Sequence, residues 1–279
     1  MCMFNLRKRK EVGENQSKER IQYLHKVKMR NNTIYFTRWA ILIIAILLWE
    51  IMARIGIIDA FIMSQPSRIL KTMLRLGEND LLYHLGITLY ETLMGFLLGV
   101  ILGILFAIVL WWSEFIAKIS EPYLVVLNSL PKIALGPVII IWVGAGQKAI
   151  IFMALAISLI VTILEMLGGF LETEKEKIIM AKTLGANKAQ IFKKIVFPSN
   201  MSTLFNSLKI NIGLSLVGVI AGEFLVSKGG LGYLIVYGGQ VFKMDLVMTG
   251  VIILAIMAAL MYQVVVMVEK FVTKKMSHN

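Results

Sequence analysis

With 279 residues, 58% of them hydrophobic and only 16% charged, the chain is too apolar for an ordinary soluble domain, which runs near ~45–50% apolar and ~25% charged. The net charge of +12 would suit a nucleic-acid binder, but Lys and Arg gather beside apolar runs, as the positive-inside bias expects of a membrane protein. One cysteine, Cys2, and three scattered histidines, His25, His84 and His278, argue against a disulfide framework or a metal site.

Met1 to Arg38 is a polar, basic leader, expected to be a cytoplasmic tail with a short helix around Lys18 to Lys28. The apolar run behind it is long enough to span, so no cleaved signal peptide is expected. Trp39 to Ile57 is the first predicted span, at about 1.5 Å per residue one bilayer long. Thr92 to Trp112 is the second and carries Gly95, Gly99 and Gly103 at four-residue spacing. Such small residues let helices approach closely in lipid, although glycine is also commoner in membrane helices generally.

Tyr123 to Gly144 is apolar but interrupted by Asn128, Pro131 and Lys132, which predicts a broken or kinked helix. Ala149 to Leu171 is the fourth span. Ile210 to Val226 is short and needs Ser207 to Lys209 as an interfacial extension; Leu246 to Val268 is the sixth. Six spans put both termini on one side. The leader, Lys118, the 175–194 segment and Lys270, Lys274 and Lys275 share one face, and the richer face belongs inside.

Between the fourth and fifth spans lies EKEKIIMAKTLGANKAQIFKKIVFP, Glu174 to Pro198. At ~2.5–3.5 kcal/mol per charge at the bilayer centre, burying its charges would cost roughly 20 kcal/mol or more, so it lies outside the hydrocarbon. Its pattern predicts a helix over Glu174 to Leu184, an αL stop at Gly185, and a second helix capped by Asn187 with Gln190 three residues on. Ile191, Phe192, Ile195 and Val196 form an apolar stripe opposite Lys188, Lys193 and Lys194, and Pro198 is expected to end that helix. By pattern alone the segment is either an interfacial amphipathic helix or a docking element for a cytoplasmic partner.

This spacing resembles the EAA motif of importer-type ABC transporter permeases, E-A-A-x3-G-x9-I-x-L-P. Ala181, Gly185, Ile195 and Pro198 match; Ile179, Met180 and Phe197 replace the glutamate, first alanine and leucine. SLPKIALGPVIIIWVGAG (Ser129 to Gly146), GEFLVSKGGLGYLI (Gly222 to Ile235) and SQPSRIL (Ser64 to Leu70) are similar to the nitrate, sulfonate and taurine branch. The resemblance implies an all-α permease fold with six transmembrane helices over residues 39–271, between cytoplasmic tails at 1–38 and 272–279. It also implies ATPase-coupling residues at Ile179, Met180, Ala181, Leu184, Gly185, Ala186, Ile191, Phe192, Ile195 and Pro198. The implied partners are a cytoplasmic ABC ATPase dimer, a second permease subunit (a second copy of this chain) and an external substrate-binding protein.

No Walker A spacing occurs, so energy is expected from a partner or an ion gradient; the resemblance implies ATP and Mg on the partner ATPase and no cofactor on this chain, and no catalytic motif suggests an enzyme. Asn128, Pro131, Lys132 and Glu223 are the candidate residues of the translocation path. Glu50, Glu165 and Glu223, as carboxylates in or near spans, keep a proton-coupled secondary carrier as the alternative. Trp39, Trp111, Trp112 and Trp142 read as an interfacial belt. The expected cargo is a small anionic or organic solute such as a sulfonate, taurine, nitrate or a vitamin precursor, carried across a bacterial cell membrane.

Overall fold

The computed structural model describes residues 18–75, 77 and 80–276, and every regular element among them is helical. Cys2, His278 and most of the predicted leader up to residue 17 lie outside the described residues. The chain divides into two compact units, Met1–Ser67 and Arg68–Asn279.

The first unit holds α1 (Lys18–Ile55), α2 (Ala60–Met63) and the first residues of α3 (Pro66–Leu74). The short leader helix and the first span are one continuous helix, because no Gly or Pro interrupts residues 29–38. Gly56, with φ of 84°, ends it. Within this unit Glu50 is satisfied locally: Arg54 Nε donates to it at 2.7 Å and the Ser67 N–H at 3.0 Å.

The second unit continues with α4 (Leu81–Trp112), α5 (Glu114–Ser129), a 3-10 turn (Lys132–Leu135), α6 (Gly136–Val143) and α7 (Gln147–Leu171). Short helices α8 (Lys175–Thr183) and α9 (Lys188–Ile191), a π turn (Phe192–Val196) and α10 (Phe197–Ser199) follow. The chain then forms α11 (Met201–Val226), α12 (Leu231–Gln240) and α13 (Met244–Met276). Five helices among the described residues are long and apolar enough to cross a bilayer, or six if the bent pair Glu114–Ser129 and Lys132–Val143 is one span.

The core of this unit is α7 with α4 and α11 packed along it. The glycine stripe of α4 is an interface: a Cβ at Gly95 or Gly103 would lie only 2.5 Å from the side chain of Ala154 or Thr162, too close to fit, and Gly99 faces Ser158. A stripe of small residues on each helix therefore meets its counterpart at matching four-residue spacing, so the backbones approach closely. Buried polar groups stitch α7 to α11, with Asn211 Nδ2 donating to Thr162 Oγ1 at 3.0 Å and to the Ser207 carbonyl at 2.9 Å.

Three helices of this unit run longer than the hydropathy reading. The second span begins at Leu81, eleven residues before Thr92, and α11 begins at Met201 rather than Ile210. The last helix runs Met244–Met276, beyond the predicted 246–268. Polar side chains lower the hydropathy of these ends, yet the fold covers them: His84, Thr88, Glu91 and Ser207 are all buried. The predicted break in the third span is present as an 83° bend. Pro131 lacks an N–H and forces Leu130 into extended geometry (φ −65°, ψ 138°), which ends α5.

Candidate functional site

The insert between α7 and α11 is a closed clasp. At its root, Asn200 Nδ2 donates to Thr173 Oγ1 at 2.9 Å and to the Val196 carbonyl at 2.8 Å, joining both ends of the segment. α8 ends in a Schellman arrangement: the Gly185 N–H reaches the Lys182 carbonyl and the Ala186 N–H the Ala181 carbonyl, both at 3.0 Å. Gly185 has φ of 81°, a conformation that costs an L side chain and suits glycine. The capping box is complete, with Gln190 N–H on Asn187 Oδ1 at 2.8 Å and Asn187 N–H on Gln190 Oε1 at 2.9 Å.

The predicted apolar stripe points inward. Ile191 and Val196 join Ala181 in a core with Ala107 of α4, Leu124 of α5, and Met166 and Phe170 of α7. Phe192 meets Phe170 edge-on at 5.3 Å and Trp111 at 5.0 Å, so Trp111 packs on the insert and is more than a member of an interfacial belt. Lys188, Lys193 and Lys194 are exposed, and Lys188 donates to the Trp112 carbonyl at 2.6 Å.

One expectation needs correcting. Pro198 does not end the second helix, because the helical path continues through the π turn into α10 and ends at Asn200. In the π turn the Phe197 N–H bonds the Phe192 carbonyl, and Pro198 sits in the first turn of α10, where its missing N–H leaves no helical bond unmade. The Asn200 side chain then takes up the Val196 carbonyl.

The candidate coupling residues thus fall into two groups. Ala181, Ile191, Phe192 and Ile195 are buried or half-buried against the helical body. Ile179, Met180 and Leu184 form a bare apolar tip, 59%, 58% and 79% exposed. Such large apolar groups, together and unpaired on a polar segment, mark a contact surface. Gly185 and Ala186 form the turn beside that tip.

The candidate path residues separate as well. Lys132 stands at the break of the bent pair, where its Nζ donates to the Asn128 carbonyl at 2.9 Å and to Asn128 Oδ1 at 3.2 Å. Pro131 is exposed beside it. Glu223 is elsewhere and only 1% exposed. It accepts from Thr88 Oγ1 at 2.7 Å and from the Gly232 N–H at 2.5 Å.

Glu223 belongs to a side-chain cap on α12. The Gly230 N–H donates to His84 Nδ1 at 2.9 Å, and the Leu231 N–H to Thr88 Oγ1 at 2.7 Å. The first N–H groups of α12, which have no partner inside their own helix, are therefore met by α4 and α11. The carboxylate also lies where the helix dipole favours negative charge. Gly230 has φ of 106°, and a Cβ there would collide with the Glu223 carboxyl. This accounts for GGLG following GEF in the sequence.

His84, Thr88 and Glu91 were not among the residues singled out from the sequence as a site. Their signal was present as polar residues at i, i+4 and i+7 of one helix, all turned inward. Glu91 lies beside Glu223 and Gln147, is 1% exposed, and its Oε2 has no hydrogen-bond partner among the described residues. Glu165 likewise keeps an unpartnered Oε2. No group of three or more metal-ligating side chains occurs among the described residues.

Comparison with known proteins places these features. Residues 99–278 match the model of the family described as binding-protein-dependent transport system inner membrane component. The formylaminopyrimidine transport permease protein ThiX of Halalkalibacterium halodurans is 26% identical, over 67% of this chain and 74% of its own length. The putative aliphatic sulfonates transport permease protein SsuC of Bacillus subtilis is 24% identical, over 83% of this chain and 84% of its own. Among solved structures, a chain of the inward-facing MetNI methionine ABC transporter superposes with a TM-score of 0.62 at 19% identity, covering 69% of this chain and 95% of that one. At that identity the likeness establishes the fold.

Proposed function

The chain belongs to the binding-protein-dependent transport system inner membrane components, the permease subunits of ABC importers, and we propose that its 173–200 clasp is the lever by which a partner ATPase opens the path. The supporting observation is the two-sided build of the clasp. Buried Ile191 and Val196 root it in the helical body, while Ile179, Met180 and Leu184 stand bare at its tip. A load applied to the tip is transmitted to α7 and α11 because the Asn200–Thr173 bonds close the root.

The family works with an ATPase and a binding protein. In this reading two copies of the chain form the path, ATP and Mg are bound by the ATPase dimer, and this chain performs no hydrolysis. Ile179, where the family motif has a glutamate, makes the grip apolar, a helix-in-groove contact anchored with Leu184. The clasp and both termini face the cytoplasm of a bacterial cell, since the Lys-rich face belongs inside.

The cargo is a small solute, anionic or organic. Relatives named for aliphatic sulfonates and for formylaminopyrimidine bracket the class. The Lys132 ammonium at the break of the bent pair, next to Asn128 and Pro131, favours the anionic side of it, because broken helices in membranes line water or protein rather than lipid. Glu223 enters this path only indirectly, by fixing α12 through its buried bonds.

Reconstituting the chain with its cognate ATPase and binding protein in vesicles tests the reading. Uptake should require ATP and the binding protein and be indifferent to a pH gradient. Uptake by the chain alone, driven by protons, would return the secondary carrier to first place.

A further inference from the structure

Beside the clasp lies a cavity of about 800 Å³ between α5, the end of α7 and the insert. This is within the range of sites that hold small ligands. Its lining combines two chemistries. Leu164, Leu167 and Phe170 of α7 give it an apolar lining, while Lys118 of α5 and Lys175, Lys182 and Lys188 of the insert add four cations to it. Against these four cations the lining offers two carboxylates, Glu114 and Glu121. Glu114 is taken by Lys118 at 2.9 Å.

Lys188 is fixed in place, its Nζ bonded to the Trp112 carbonyl and 5.3 Å from the Trp111 ring centroid. The ammonium groups of Lys175 and Lys182 make no hydrogen bond or ion pair among the described residues, although both residues are part of the cavity lining. Two adjacent tryptophans end α4 at this level, as tryptophans do at the membrane–water boundary. An apolar lining, a set of cations and an interfacial depth together describe a receptor for an amphiphile with a negative headgroup.

We propose that this cavity binds the headgroup and upper acyl chain of one anionic phospholipid of the inner leaflet. Basic pockets between helices at the cytoplasmic boundary recognise such headgroups, because each lysine gains from the phosphate and from the negative surface. The proposal rests on the cytoplasmic orientation of the clasp given above. It adds a consequence for coupling: Ile178 and Ala186, which line the cavity, belong to the same element as the exposed tip. Ile179 of the tip lines the cavity as well, so a lipid seated there braces the lever while Met180 and Leu184 remain free for the ATPase.

The test uses the whole importer, purified and reconstituted in vesicles of phosphatidylcholine alone or with phosphatidylglycerol. Expected are retention of phosphatidylglycerol by the purified complex, and ATP-dependent uptake that rises with its content. K175Q/K182Q should weaken lipid retention about fivefold for each lysine removed, with ATPase co-purification unchanged. Phosphatidylglycerol retention unaffected by the double variant would overturn the proposal. So would loss of ATPase binding with the lipid profile intact, which would assign the lysines to the protein partner. Displacement of the lipid's effect by water-soluble glycerol phosphate would exclude the acyl-chain part and leave a free-phosphate site instead. These outcomes are separable from failure of the permease reading, which would abolish ATP-dependent uptake in every vesicle.

Discussion

The 173–200 clasp and the 223–233 loop are both short irregular connections held against the same bundle, but by opposite means. The clasp is rooted by apolar burial, with Ile191, Val196 and Phe192 against Phe170, Met166 and Trp111, and its polar bonds are mostly local caps. The loop is held by polar side chains, His84 and Thr88 from the distant α4 and Glu223 from the end of α11, each aimed at a backbone N–H of Gly230, Leu231 or Gly232. Apolar contact is non-directional and tolerates small sliding, whereas a set of buried hydrogen bonds has one geometry. A segment that must carry load can be seated the first way; a loop that must hold one conformation is better fixed the second way.

That contrast can be broken by mutation, and the 223–233 loop should break hardest. Gly230→Ala puts a Cβ into the Glu223 carboxyl at a residue of positive φ, and should cost about 3–4 kcal/mol, read as thermal unfolding in detergent. An unshifted melt would mean that the cap is not rigid. Ile191→Ala removes a buried anchor of the clasp and should cost about 2–4 kcal/mol, lowering both the melting temperature and the uptake rate per ATP hydrolysed. If uptake fell with no change in melting, Ile191 would be a contact to the partner rather than an anchor.

Glu223→Gln keeps the size but removes the charge that faces the N-terminus of α12 and turns one acceptor oxygen into a donor facing an N–H. A loss of about 1.5–3 kcal/mol is expected, visible as faster amide exchange at Gly232. Glu91→Gln is the control for that change. It removes a buried carboxyl whose Oε2 has no partner among the described residues, so stability should hold or rise. A loss as large as that of Glu223→Gln would show that Glu91 is part of the cap. Leu184→Asp at the bare tip should change stability by less than about 0.5 kcal/mol while abolishing ATPase co-purification. Retained co-purification would move the docking surface away from Leu184.

Much of the clasp was legible from local rules. Gly185 as an αL stop, Asn187 with Gln190 as a capping box, and the inward stripe from Ile191 to Val196 all depend on residues within a few positions of one another. Pro198 was misread because its effect depends on where the preceding N–H groups go, and the π turn moved them. The cap on α12 was harder. Glu223 stood out as a carboxylate near a span, but its partners lie 135 and 9 residues away, so its role could not follow from neighbours. His84 looked like an ordinary interfacial histidine until Gly230 and Tyr233 were placed against it.

Composition, charge placement and local pattern by themselves determined that this is a helical membrane protein with a polar helical insert. Those properties follow from transfer energies and backbone preferences that act over one helix length. Which side of the insert is anchor and which is tip, whether the α4 glycines are an interface, and what Glu223 binds were decided only by the tertiary structure. Each depends on which distant side chain fills the space opposite, and no local energy specifies that.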